Sequence, residues 1–202
     1  MVNDADGDSI PTFLTHYHRP DRRPFLNLSE VDGDATLEQV LGGLNATSHS
    51  GESERRFGPR YMRLRQATEA VLQDRFTERG GRPERMSPHY FVLGQSEWFA
   101  GLYRDAVGIQ LPLEGINTEQ ISFTYPDSMT SMGLSQDFGI SVIPRPYHGI
   151  VYRIEELPDV IRMHGYPRPR RPDSYDRHQF MEFEHYIEVQ LWSDEPVRHH
   201  LA

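Results

Sequence analysis

The sequence predicts an α+β domain with mixed, largely antiparallel sheets and one long helix in its first half, and three observations predict it. Strand-like runs with two-residue alternation lie near both ends of the chain and between residues 89 and 125. A helical apolar repeat holds from about Pro59 to Arg79. Regular alternation of strands with helices of about 10 to 15 residues, the mark of a doubly wound sheet, is missing. At 202 residues the chain fits one domain with a substantial core. Residues 1–10, acidic and small, are expected to be a disordered tail, and 11–202 the single domain.

The first strand is expected over Pro11 to Pro20, with Thr15, Tyr17 and Arg19 on one side and His16 and His18 on the other; Pro20 stops it. Phe25 to Ser29 is a second short apolar piece. Leu37, Val40, Leu41 and Leu44 repeat at helical spacing behind Thr36, a capping residue. Asn45 to Ser53 is polar and reads as a surface loop. In the long helix Pro59 is tolerated in the first turn, and Gly80-Gly81 ends it. Its apolar face is expected to carry Tyr61, Leu64, Thr68, Val71, Leu72 and Phe76.

Strands are then expected at His89 to Leu93, Val107 to Leu113 and Ile121 to Tyr125, their hairpin-like spacing favouring antiparallel pairing; Ser96 caps a short helix, Glu97 to Tyr103. Pro126-Asp127-Ser128 turns the chain, and Met129 to Pro146 is a long connection suited to a lid or site loop. A strand from Gly149 to Ile154, a helix from Glu155 to His164 and a stiff segment from Pro167 to Asp173 lead into the last strand.

Composition removes whole classes of chemistry. There is no cysteine, and all 21 basic residues are arginine. Thiolate nucleophiles, disulfides, zinc ribbons, Schiff bases and the lysine of a P-loop are excluded together. The net charge is −9, with ten acidic residues against three arginines through residue 54, which disfavours nucleic acid in general. Two arginine patches exist, Arg55 to Arg65 and Arg168 to Arg177; the first reads as a solvated helix face and the second as a solvated loop, ahead of a phosphate-binding role. The first ten residues lack a basic start and an apolar run, and no window nears the roughly 18 apolar residues that span a bilayer. A cytoplasmic protein without a membrane or disulfide-linked partner is expected, and the arginine-only acidic composition suits a high-GC bacterium.

The last strand, Glu182 to Trp192, sorts Glu182, Glu184, Tyr186, Glu188, Gln190 and Trp192 onto one face and Phe183, His185, Ile187, Val189 and Leu191 onto the other. The second face is built for a core. Carboxylates in a row on the first imply that it either meets solvent or floors a site. Three chemistries suit the candidate groups. His16 and His18, about 7 Å apart along one strand face, could join a carboxylate in a metal site. Glu182 and Glu184 have a spacing open to paired-carboxylate hydrolysis. A single glutamate could steady an oxocarbenium-like sugar carbon while hydroxyl and imidazole groups hold a nucleotide. A non-catalytic surface for a basic partner is the further alternative.

Four segments, in order, resemble the motifs of the ADP-ribosyltransferase fold, in particular the DarT-type enzymes that modify nucleic acid bases. Thr15-His16 resembles the histidine-bearing first strand, Pro88-His-Tyr-Phe-Val-Leu-Gly-Gln-Ser96 the aromatic strand and its turn, Ile121-Ser-Phe-Thr-Tyr125 a later core strand, and Ile187 to Pro196 the final strand with the catalytic glutamate. The asparagine-leucine pair that follows the histidine closely in that pattern is here Asn27-Leu28, eleven residues on. The position of a usual arginine holds Gln95. The resemblance implies that Glu188 is catalytic and that NAD, as substrate, is held by His16, Tyr17, His18, Arg19, Ser96 and Tyr125, with His16 on a ribose. It further implies transfer of ADP-ribose to a protein or nucleic-acid acceptor, as in a toxin or defence effector. Glu182 and Glu184 are then structural or solvent-facing.

Overall fold

A computed structural model describes residues 10–31, 33–47, 58–101, 105–133, 143–167 and 186–201. The expected tail lies outside the described residues except Ile10, which packs against the core. Glu182, Glu184 and the Arg168 to Arg177 patch also lie outside them.

Five strands, β1 (Phe13–His18), β2 (His89–Leu93), β3 (Val107–Pro112), β4 (Ile121–Thr124) and β5 (Glu188–Leu191), form one antiparallel sheet in the order β3-β1-β2-β5-β4. The helices are α1 (Asp34–Thr47), α2 (Pro59–Glu78), α3 (Glu97–Ala100), α4 (Ser128–Ser131), α5 (Leu157–His164) and α6 (Arg198–Leu201). The class is α+β, with α2 the long helix of the first half.

Both faces of the sheet are covered. Leu14, Phe91, Phe123, Ile187, Val189 and Leu191 face a core closed by Leu157, Val160 and Ile161 of α5. On the other face α2 brings Leu72 and Phe76 onto Trp192, whose ring lies 6.1 Å from that of Phe76. Burial of these apolar groups on two sides is what holds the sheet between α2 and α5. α2 begins with Pro59 after Gly58 and stops where Gly80, at φ 84°, accepts a left-handed turn. Gly81 follows so close to Phe76 that a Cβ there would lie 2.5 Å from the ring.

Several expectations change. β2, β3 and β4 do not pair with one another: β2 lies between β1 and β5, β3 pairs with β1, and β4 with β5. The antiparallel sheet is assembled from segments far apart in sequence, which short connections could not announce. Residues 149–154 form no strand. Tyr152 makes one bridge to Phe123, and a 3-10 turn at Ile154–Glu156 follows because Glu156 accepts from the Arg153 backbone. The buried side of α2 is Met62, Thr68, Glu69, Leu72 and Phe76, rotated from the expected stripe so that a carboxylate goes inward. Met129 to Pro146 opens with α4, and residues 134–142 lie outside the described part. α1 continues to Thr47, and α3 ends at Ala100. After β5 come a 3-10 turn and α6, where no further element was expected.

Candidate functional site

The register places the site. Thr15, Val92, Glu188 and Thr124 are successive partners across β1, β2, β5 and β4, so they share one face of the sheet. Two residues along, Tyr17, Tyr90, Gln190 and Ser122 share it as well. His16 and His18 belong to the opposite face.

β1 runs beside β3 from Phe13 to His18 but beside β2 only at Leu14 and Thr15. Past Thr15 the two-strand ladder stops. The Tyr90 carbonyl, left without a strand partner there, accepts from His16 Nδ1 at 2.9 Å. A cavity of about 260 Å³ opens at this gap. Because the strands part, it is lined from both faces: by Tyr17, Tyr90 and Glu188 from one, and by His16, His18 and Phe25 from the other.

His16 is fully committed. With Nδ1–H given to Tyr90, its Nε2 accepts the Phe25 backbone N–H at 3.1 Å, and the Phe25 ring stacks on it at 4.2 Å. Burial, with smaller contributions from neighbouring histidines, pushes its pKa down to about 4. The ring is a neutral wedge with no nitrogen left for a ribose hydroxyl, a role narrower than the one implied by resemblance. Phe25 sits at φ 58°, a left-handed conformation unusual for an aromatic residue, held by that hydrogen bond and by its burial. His18 is more open: Nδ1 donates to the Arg19 carbonyl at 2.8 Å, and Nε2 has no partner among the described residues.

Glu188 begins β5, half-buried in the cavity wall. Its Oε1 accepts the Ser128 backbone N–H at 3.2 Å and Gln190 Nε2 at 3.1 Å. Burial and the nearby Asp127 carboxylate raise its pKa to about 7, against the opposing hydrogen bonds. That face therefore lines the cavity at Glu188 and is core at Gln190 and Trp192, both fully buried.

Four arginines line the same cavity: Arg19, Arg22, Arg23 and Arg65. Arg19 pairs with Asp21. Arg65 lies over the Tyr90 ring at 4.6 Å and pairs with Glu69 at 3.1 Å. Burial alone would lower its pKa; Tyr61, Tyr90 and Glu69 outweigh it and the net shift is upward. Glu69 in turn accepts from Ser87 and from the Tyr90 hydroxyl, at 2.8 and 3.1 Å. A buried network thus fixes the wall opposite β1. Asn27, late as it comes after His16 in sequence, lines the cavity too, donating to the Pro88 carbonyl at 2.9 Å.

Of the expected NAD-holding residues, His16, Tyr17, His18 and Arg19 line the cavity with Glu188, and Ser96 and Tyr125 do not. Ser96 caps α3 through the Phe99 N–H, and its own N–H donates to the Tyr17 hydroxyl at 3.1 Å. Tyr125 is buried with its hydroxyl on the carbonyls of His164 and Gly165. Sequence reasoning took Arg65 as part of a solvated helix face, Tyr90 as core, and Asp127 and Ser128 as a turn ahead of a site. The Arg65 and Glu69 pair at helical i,i+4 spacing was the one available signal. For the metal alternative, both nitrogens of His16 are taken by backbone groups, and no group of three or more His, Asp or Glu among the described residues is arranged to hold an ion. No helix among them is long and apolar enough to cross a membrane. No family model matches the chain, and no curated protein or solved structure matches it either.

Proposed function

We propose that the chain is an ADP-ribosyltransferase-like enzyme that cleaves the nicotinamide–ribose bond of NAD and passes ADP-ribose to a protein or nucleic-acid acceptor. The observation that carries this reading is the meeting, in one cavity at the parted strands, of Glu188 with Tyr17, His18, Arg19 and three further arginines. The arginines suit the diphosphate of a dinucleotide, for which guanidinium forks are well shaped. Tyr17 and Phe99, whose rings stack at 5.6 Å, suit a flat heterocycle. As the bond breaks, its electron pair leaves with nicotinamide and positive charge develops on the ribose carbon. A glutamate carboxylate in a partly dry wall steadies that charge. The acceptor then bonds to the same carbon and gives up a proton. A cytoplasmic setting and a toxin or defence role go with this reading.

The test is release of nicotinamide from NAD by the purified protein. Wild type is expected to release it, and Glu188→Gln to lose at least about 100-fold in rate. Equal rates in the two proteins, or no NAD binding by calorimetry, would sink the reading.

A further inference from the structure

Behind Glu188 runs a chain of buried hydrogen bonds with one direction. The Trp192 indole N–H donates to Ser122 Oγ at 2.9 Å, and Ser122 Oγ donates to Gln190 Oε1 at 2.9 Å. Gln190 Nε2 then donates to Thr124 Oγ1 at 3.0 Å and to Glu188 Oε1 at 3.1 Å. An indole N–H can only donate, so the Ser122 hydroxyl, having accepted it, spends its own hydrogen on Gln190. That decides which way round the Gln190 amide sits: oxygen toward Ser122, nitrogen toward Glu188. Ser122, Gln190 and Trp192 are each 0% exposed, so no water competes for these bonds.

We propose that Gln190, oriented by Ser122 and Trp192, is a positioning residue that reserves Glu188 Oε1 for the protein and leaves Oε2 as the oxygen that meets ligand and carries the proton. Oε1 receives two N–H donors, from Ser128 and Gln190, and neither can accept a proton back. The Ser128 hydroxyl also hydrogen-bonds the carboxyl, and Oε2 takes no hydrogen bond from the other described residues. The glutamate is thereby asymmetric before any ligand arrives, with one oxygen anchored and one available. The inference rests on Glu188 as the working carboxylate of the proposed function, but its test does not need turnover.

The experiment is a carbon-13 NMR titration of the Glu188 side-chain carboxyl, assigned by its disappearance in Glu188→Gln, in wild type, Ser122→Ala and Gln190→Met. Gln190→Met removes the donor and Ser122→Ala the hydroxyl that orients it, so the Glu188 midpoint is expected to rise by about half a pH unit or more in each. Midpoints within about 0.2 unit of wild type in a folded variant would overturn the assignment. Ser122→Ala deletes a single hydroxyl and keeps the test open should Gln190→Met not fold. The acid limb of nicotinamide release is expected to move with the midpoint. A midpoint that moves in a protein that never cleaves NAD upholds the positioning role and removes only the enzymatic reading.

Discussion

His16 and Glu188 line one cavity and are held in opposite ways. His16 has both ring nitrogens on backbone groups and a pKa pushed down to about 4, so at neutral pH it is a fixed, uncharged brace between β1 and β2. Glu188 has one oxygen anchored by two N–H donors, the Ser128 hydroxyl beside the carboxyl, and a pKa raised to about 7. A fully satisfied polar group stabilises a fold, whereas a half-satisfied one beside a like charge is poised for chemistry at some cost in stability. The contrast teaches that sharing a cavity does not give two residues the same kind of role.

The contrast can be broken most sharply by activity. Glu188→Gln is expected to remove NAD cleavage, by about 100-fold or more in nicotinamide release. Wild-type cleavage should rise with pH through about 7, as Glu188 ionises. A flat profile across that range would detach the carboxylate from the rate.

Stability is the next lever. His16→Leu leaves the Tyr90 carbonyl and the Phe25 N–H without their partner, and is expected to cost about 2 to 4 kcal/mol in denaturant unfolding. The sign with pH follows from the depressed pKa: the unfolded histidine binds a proton near pH 6.5 that the folded one refuses until about 4. The contribution of His16 is therefore present above 6.5 and lost as pH falls through about 4. The cost of His16→Leu should shrink across that window, and a pH-independent cost would refute the neutral brace.

Glu188 should behave in reverse. Its raised pKa means the folded state holds a proton that the unfolded state releases, so its stabilising contribution exists at low pH and disappears as pH rises through about 7. Glu188→Gln is thus expected to stabilise the protein at pH 8 by about 1 to 3 kcal/mol and by far less near pH 4, read from unfolding midpoints. The smallest effect is expected at His18, whose Nε2 has no partner among the described residues to lose: His18→Gln should change stability by less than about 0.5 kcal/mol while weakening NAD binding measured by calorimetry.

Much of the fold was legible in local pattern. The edges of β2 and α2, the cap at Ser96 and the turn at Asp127 follow from alternation, proline, glycine and capping residues, which act within a few positions. The two sides of β1 sorted as expected, and Glu188 stood out because no large aliphatic group shares its face. The spacing between β2, β3 and β4, by contrast, suggested hairpins that do not form, and residues 149–154 alternated without becoming a strand.

The sequence by itself determined which chemistries were open, through the absence of cysteine and lysine, and where β1, β2, α2 and α5 would form. Only the tertiary structure decided that β1 and β2 part after Thr15, that Arg65 and Glu69 turn inward on α2, and that Ser96 and Tyr125 serve packing outside the cavity. The reason is physical. Periodicity and capping are set by near neighbours, whereas the protonation of Glu188, the commitment of His16 and the order of strands depend on contacts between residues sixty or more positions apart.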